Sequence, residues 1–162
     1  MYHPKDKFEL KALMEQLINE RGNRGNFNDI DTSEITDMSE LFKYNKKFNG
    51  DISKWNTSNV KIMKDMFFEA EKFNRDISQW DTSKVTDMSN MFLGAKSFDQ
   101  DISKWNTSNV SDMRAMFFDA ESFNQDISNW NVSKVTNMYG MFRFAYKFNQ
   151  DISKWDTGNV TD

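Results

Sequence analysis

The chain has 162 residues and a formal net charge of −4, which suits one globular domain or a short repeat array and not two independent domains. With no cysteine and a single histidine, His3, it offers no disulfide, no cysteine-based zinc site, no thiol nucleophile and little room for a histidine-centred active site. Mild acidity gives no electrostatic footprint for nucleic acid, and no stretch approaches the ~20 apolar residues that cross a bilayer.

The first ten residues, Met1–Leu10, are polar and carry no signal-peptide pattern, so the chain reads as soluble: a cytoplasmic protein, or a piece of a longer secreted one. Leu10, Leu13, Met14 and Leu17 then stand at i, i+3, i+4 and i+7, the apolar stripe of an amphipathic helix. Asp6 followed by Glu9 is a variant of the capping box that opens a helix, and Gly22 is a suitable stop. Residues 1–25 are therefore expected to form an N-terminal capping helix, covering an edge that would otherwise pair with other chains.

Residues 26–162 repeat with a shift of 25. Asp51, Asp76, Asp101, Asp126 and Asp151 form one column and the following isoleucines the next. Trp55, Trp80, Trp105, Trp130 and Trp155 account for every tryptophan, and Val60, Val85, Val110, Val135 and Val160 follow. Met63, Met88, Met113 and Met138 lead into Met-Phe pairs, then Ala70, Ala95, Ala120 and Ala145, then Phe73, Phe98, Phe123 and Phe148. A degenerate first copy runs through Phe27, Ile30, Ile35, Met38, Phe42 and Phe48. Residues 51–60 recur unchanged at 101–110, so the array also reads as a duplicated pair of units.

Within a unit, Met88, Met91, Phe92 and Ala95 again have helical spacing, and the pattern predicts a short helix with Thr86 as its N-cap. A short strand is expected next, with Ile102 inward and Asp101 and Ser103 outward. Strict alternation would bury Lys104, so the chain should bend after Ser103 and return Trp105 to the core. One unit cannot bury its own apolar face. Stacked units can, which turns the columns into continuous internal stacks about 4.7–4.9 Å per step.

The string Phe-Asn-Gln-Asp-Ile-Ser-x-Trp-Asp/Asn-Thr-Ser-x-Val-Thr-Asp-Met-x-x-Met-Phe, repeated over residues 26–162, resembles the repeat of BspA-like leucine-rich-repeat surface proteins. It is similar also to the repeat of unknown function in mycoplasma and other bacterial lipoproteins and surface proteins. The resemblance implies an α/β repeat fold: a right-handed leucine-rich-repeat-like solenoid of short strands and short helices. It implies surface display and binding of host or matrix proteins, and it supplies no catalytic motif. Localisation stays open, because the resemblance points to the cell surface or secretion and this chain shows no export signal.

The Asp51–Asp151 column could gather calcium, but no Gly-rich calcium-binding turns accompany it. The favoured reading is that each Asp accepts backbone N–H groups from an adjacent turn or faces water. Sequons such as Asn106-Thr107-Ser108 arise from the same turn chemistry. The Thr57, Thr82, Thr107 and Thr157 column could form a flat hydroxyl array, interrupted at Val132. The Met, Phe and Trp columns are read as core, with no cofactor.

Phe68, Leu93, Phe118 and Arg143 lie roughly 140° around the expected helix from its leading Met, where solvent is expected. Tyr139, Phe144 and Tyr146 also fall off the core stripe. Phe68, Leu93, Phe118, Tyr139, Phe144 and Tyr146 are therefore the candidate partner-binding residues, against the alternative that they pack between neighbouring units.

No nucleophile–base pair or metal cluster can be assembled, so an enzyme is not expected. The leading reading is a non-enzymatic protein-binding solenoid with an unidentified protein partner, no nucleic acid and no membrane insertion. The alternative is a structural spacer or display segment of a longer surface protein. The last unit stops at Thr161-Asp162, before the next Met-x-x-Met-Phe. An incomplete, uncapped C-terminal unit is expected to fray beyond Trp155 or to self-associate, unless the array continues.

Overall fold

A computed structural model describes residues 1–162. Its one helix, α1, spans Lys7–Arg21, with Asp6 as N-cap and Gly22 as C-cap. The Asp6 carboxylate accepts the N–H groups of Phe8 at 2.8 Å and Glu9 at 2.9 Å, and Glu9 reaches back to the N–H of Lys5 at 2.8 Å. Those bonds satisfy donors that the first helical turn leaves without partners. Gly22 has φ 76° and ψ 170°, an extended positive-φ conformation open to glycine, and gives its N–H to the carbonyl of Ile18. Leu10, Met14 and Leu17 are buried against the first repeat, and Leu13 and Ile18 pack beside them. Polar contacts fix the helix in place: Lys7 Nζ meets Ser39 Oγ at 2.7 Å, and Arg21 grips the Asp29 carboxylate through both terminal nitrogens at 2.7 and 2.9 Å.

Beyond α1 the expected short helices do not form. Over Met88–Phe98 the chain makes successive tight turns: Met91 N–H bonds Met88 O, Leu93 bonds Asn90 O, Ala95 bonds Phe92 O and Phe98 bonds Ala95 O. Alternate N–H groups leave the unit altogether. Met88 donates to Asp112 O, Asn90 to Arg114 O, Phe92 to Met116 O and Gly94 to Phe118 O, each at 2.8–3.0 Å. The step of 24 recurs from Met63, Asp65, Phe67 and Glu69 to Asp87, Ser89, Met91 and Leu93. Parallel residue pairs run Asp37–Ile62–Asp87–Asp112–Asn137, and no longer strand forms. Thr86 is not a helix cap; its N–H and hydroxyl both go to the carbonyl of Lys61, at 2.9 and 3.3 Å.

The turns need left-handed residues. Asp65, Asn90, Ala115 and Gly140 share one column, Glu69, Gly94, Asp119 and Phe144 another, and all have φ between 48° and 69°. Asp65, Asn90, Glu69 and Gly94 are the third residues of turns such as Met63–Met66 and Phe92–Ala95, where type II turns require positive φ.

The short strand expected around Ile102 does not form either: Asp101 and Ile102 pair with no neighbouring strand, and the chain turns at Ser103. Ile102 and Trp105 are buried, and the chain bends between them, with Trp105 N–H closing on Ile102 O at 3.1 Å. The core is one continuous cluster from Leu10 to Met141. Within each unit two phenylalanines stack face to face, with centroids 3.9 Å apart in Phe67–Phe73 and 4.0 Å in Phe92–Phe98. Between units the same rings repeat at 5.5 Å (Phe67–Phe92) and 5.9 Å (Phe73–Phe98), and Trp80 and Trp105 lie 6.4 Å apart. These spacings exceed the hydrogen-bond rise of about 4.8 Å, so the rings are offset as their quadrupoles prefer.

Residues 151–162 are bonded to the unit before them: Thr161 N–H to Thr136 O, Met138 N–H to Asp162 O, and Trp155 Nε1 to Ile127 O.

Candidate interaction surface

The turn segment that begins at each leading Met brings two columns together, at or just beneath the surface. One holds Lys43, Phe68, Leu93, Phe118 and Arg143; the other holds Tyr44, Glu69, Gly94, Asp119 and Phe144. Their backbones interlock, with Tyr44, Glu69, Gly94 and Asp119 donating to the carbonyls of Phe68, Leu93, Phe118 and Arg143. Side chains from adjacent units are thereby set edge to edge.

The candidate residues divide in two. Phe68 forms a T-shaped pair with Tyr44, centroids 5.3 Å apart, and Lys43 Nζ sits 5.1 Å above its ring. Lys43 is anchored by the buried Asp65 at 2.8 Å, and Asp65 also accepts Asn90 Nδ2 at 2.8 Å. Hydrogen bonding to Asp65 raises the Lys43 ammonium above its ordinary value and keeps it charged. Phe68 and Leu93 are half-buried, Phe68 against Tyr44 and Lys43 of the preceding unit.

The second group is more open. Phe118 is half-buried beneath Phe144, which meets it edge-on at 5.4 Å, and Arg143 lies 5.7 Å from the Phe118 centroid and 5.0 Å from that of Phe144. Tyr146 follows at 6.1 Å from Phe144. Phe144 is 44% exposed, Tyr146 75% and Tyr139 60%. Phe144 takes φ 61°, a conformation that bulky side chains seldom adopt. The chain thus holds a large ring out to solvent at a backbone cost. Sequence reasoning passed over Lys43 and Tyr44, although their column could have been traced back from Phe68 and Phe144.

Other columns prove structural. Asp101, Asp126 and Asp151 each accept the N–H of the serine two residues on, at 2.9 Å. The hydroxyl and N–H of those serines hold the carboxyls below their usual range. Asn56, Asn106 and Asn131 make the same turn in the sequons. The hydroxyl array is overturned: Thr57, Thr82 and Thr107 are buried and donate inward to carbonyls of the next unit, Thr107 to Asn131 O at 2.9 Å. No helix is long and apolar enough to cross a membrane.

The model of a family described as a Mycoplasma protein of unknown function, DUF285, matches residues 11–110 and again 76–162. The chain belongs to the DUF285 family. Its two overlapping matches agree with the repeat of the sequence, and with the resemblance to the mycoplasma-type repeat. No curated protein and no solved structure gives a significant match to this DUF285 chain.

Proposed function

We propose that this DUF285 protein is a non-enzymatic, protein-binding solenoid of the right-handed BspA-like kind, and that it engages a protein partner through the surface around Phe118. The parallel pairing of one position through successive units and the unbroken ring stacks support the solenoid. The observation that carries the binding role is the cluster of Arg143, Phe144 and Tyr146 over Phe118, with Phe144 held in a left-handed backbone. Arginine and tyrosine are the side chains that most often dominate interfaces, and a rigid aromatic loses little entropy on binding.

The spacer reading draws on the outward charges. Some of them are engaged in pairs between neighbouring units, such as Lys46–Glu71 at 2.8 Å and Lys96–Glu121 at 2.7 Å. Affinity enrichment from the source cell's extracellular partners and from host matrix, with parent and F144S/Y146S chains side by side, separates the two. Partners that the parent retains and the variant loses, at equal melting temperature, support binding. Identical profiles support the spacer.

A further inference from the structure

A second candidate surface is built from other columns of the first units. A cleft of about 590 Å³ is lined by the cations Arg24, Lys47 and Lys72, by the amides Asn23, Asn49 and Asn74, and at its far end by Ser97. No hydrophobic and no acidic side chain lines it. Two things distinguish it from an ordinary solvated surface.

The first is charge. On a chain whose net charge is −4, three cations line one cleft with no acidic side chain among them and no ion pair to neutralise them, so their charges add there. Lys47, Lys72 and Ser97 occupy the same position in three successive units, so the basic run belongs to the first units and stops at the serine.

The second is the orientation of the amides. Asn49 Oδ1 accepts the N–H of Asn74 at 3.0 Å, and Asn74 Oδ1 accepts the N–H of Asp99 at 3.0 Å and Gln100 Nε2 at 2.9 Å. Since a backbone N–H can only donate, each oxygen is fixed and each Nδ2 must turn the other way. Neither Nδ2 donates to any group of the chain. The cleft thus presents donors whose acceptors lie outside the protein.

We propose that this cleft is a binding site for a multivalent oxyanion, a phosphate or sulfate group, free or carried on a sugar. Arg24 supplies a planar fork of donors, Lys47 and Lys72 supply point charges one unit apart, and the Asn49 and Asn74 amides supply neutral donors that orient the oxygens. The site is separate from the Phe118 surface and stands whether or not that surface binds protein.

The test is calorimetric titration of the full chain with sodium pyrophosphate and, in a second arm, with sucrose octasulfate. Three chains are compared: the parent, K47Q/K72Q, and K147Q as a control for exposed lysines elsewhere. Saturable binding is expected, weakened about tenfold or more in K47Q/K72Q as charge-assisted hydrogen bonds are lost, and unchanged in K147Q. Raising salt from about 50 to about 300 mM should weaken it further. Binding of pyrophosphate assigns the free anion, and binding of the sulfated sugar alone assigns a sugar-borne group. Absence of binding in both arms overturns the proposal, as does equal loss in K147Q. Melting curves of the three chains should superimpose, since the substituted lysines are exposed.

Discussion

Trp105 donates its indole N–H to the carbonyl of Ile77, at 3.1 Å and 28 residues earlier in the chain. Trp55, Trp80, Trp130 and Trp155 repeat the bond to Phe27, Ile52, Ile102 and Ile127 at 3.0–3.3 Å. Tryptophan fills this column where phenylalanine fills the others because the ring must also supply a donor to a buried carbonyl of the preceding unit.

Two substitutions separate those roles. Trp105→Ala should cost about 3–5 kcal/mol, since it removes a large ring from the core. Trp105→Phe keeps most of the ring and leaves Ile77 O without its donor, at a cost of about 1–3 kcal/mol. Urea denaturation of both variants checks the order. If Trp105→Phe is as stable as the parent, the hydrogen bond contributes nothing; if it loses as much as Trp105→Ala, the ring adds nothing beyond that bond.

Ala115 has φ 48° in the column where Asn90 and Gly140 also sit. A left-handed alanine costs about 1–2 kcal/mol, against about 0.5–1 kcal/mol for the added freedom of an unfolded glycine. Ala115→Gly should therefore be neutral to stabilising by up to about 1.5 kcal/mol. Gly94→Ala should destabilise, because a new Cβ would lie 2.9 Å from the Glu69 carboxylate at a φ of 69°. Thermal melts of the two variants should move apart.

Thr107 is buried and its hydroxyl serves Asn131 O, whereas Thr157 is exposed. Thr107→Val should cost about 1 kcal/mol by leaving that carbonyl without its bond. Thr157→Val should leave the midpoint of denaturation unchanged. Equal effects at the two sites would mean that the hydroxyl bond is not what selects threonine.

The carboxyls of Asp81, Asp101, Asp126 and Asp151 are all held below their ordinary value, first by the serine hydroxyl and then by the serine N–H two residues on. A folded-state value lower than the unfolded one gives stabilisation that is present above the unfolded pKa, about 3.9, and is lost as pH falls through the folded values. The melting temperature should be level from about pH 8 to 5 and decline below about pH 4. Replacing Asp101 and Asp126 by Asn keeps the turn acceptor, as Asn106 and Asn131 already do, and should flatten that acid decline. A decline as steep in the variant would place its origin elsewhere.

Much of the inward face was legible in the sequence. Ile102, Trp105, Val110, Met113, Phe117 and Phe123 repeat at fixed spacing and are all buried, and the cost of burying Lys104 was enough to place the bend after Ser103. The path of Met88–Ala95 was misread for a physical reason. Steps of three and four residues describe one face of a helix, and they describe equally a run of tight turns that reverse every few residues. What separates the two is where the backbone N–H groups go, and here alternate ones go to a neighbour 24 residues ahead. A signal was present: Asp65, Asn90 and Gly140 in one column and Gly94 and Asp119 in the other are types that accept left-handed backbone, repeated four residues apart. The role of the Thr column is not legible in one unit, because only the stacking supplies the carbonyls that receive its hydroxyls. The Asn amides of the basic cleft were equally silent, since their orientation is set by N–H groups from the next unit.

The bonds that join the units connect positions at constant separations, 24 for Thr107 to Asn131 O, 25 for Thr161 to Thr136 O, 28 for Trp105 to Ile77 O. Excision of residues 76–100 would bring Arg75 against Asp101, and nearly every remaining donor would meet the same kind of acceptor as before. Unequal crossing-over within the gene therefore changes the length of the array by whole units at little cost to folding, whereas a one-residue insertion shifts every later ladder out of register. The recurrence of residues 51–60 at 101–110 is the trace such an exchange would leave, and populations carrying this gene should differ in unit number more readily than in unit length.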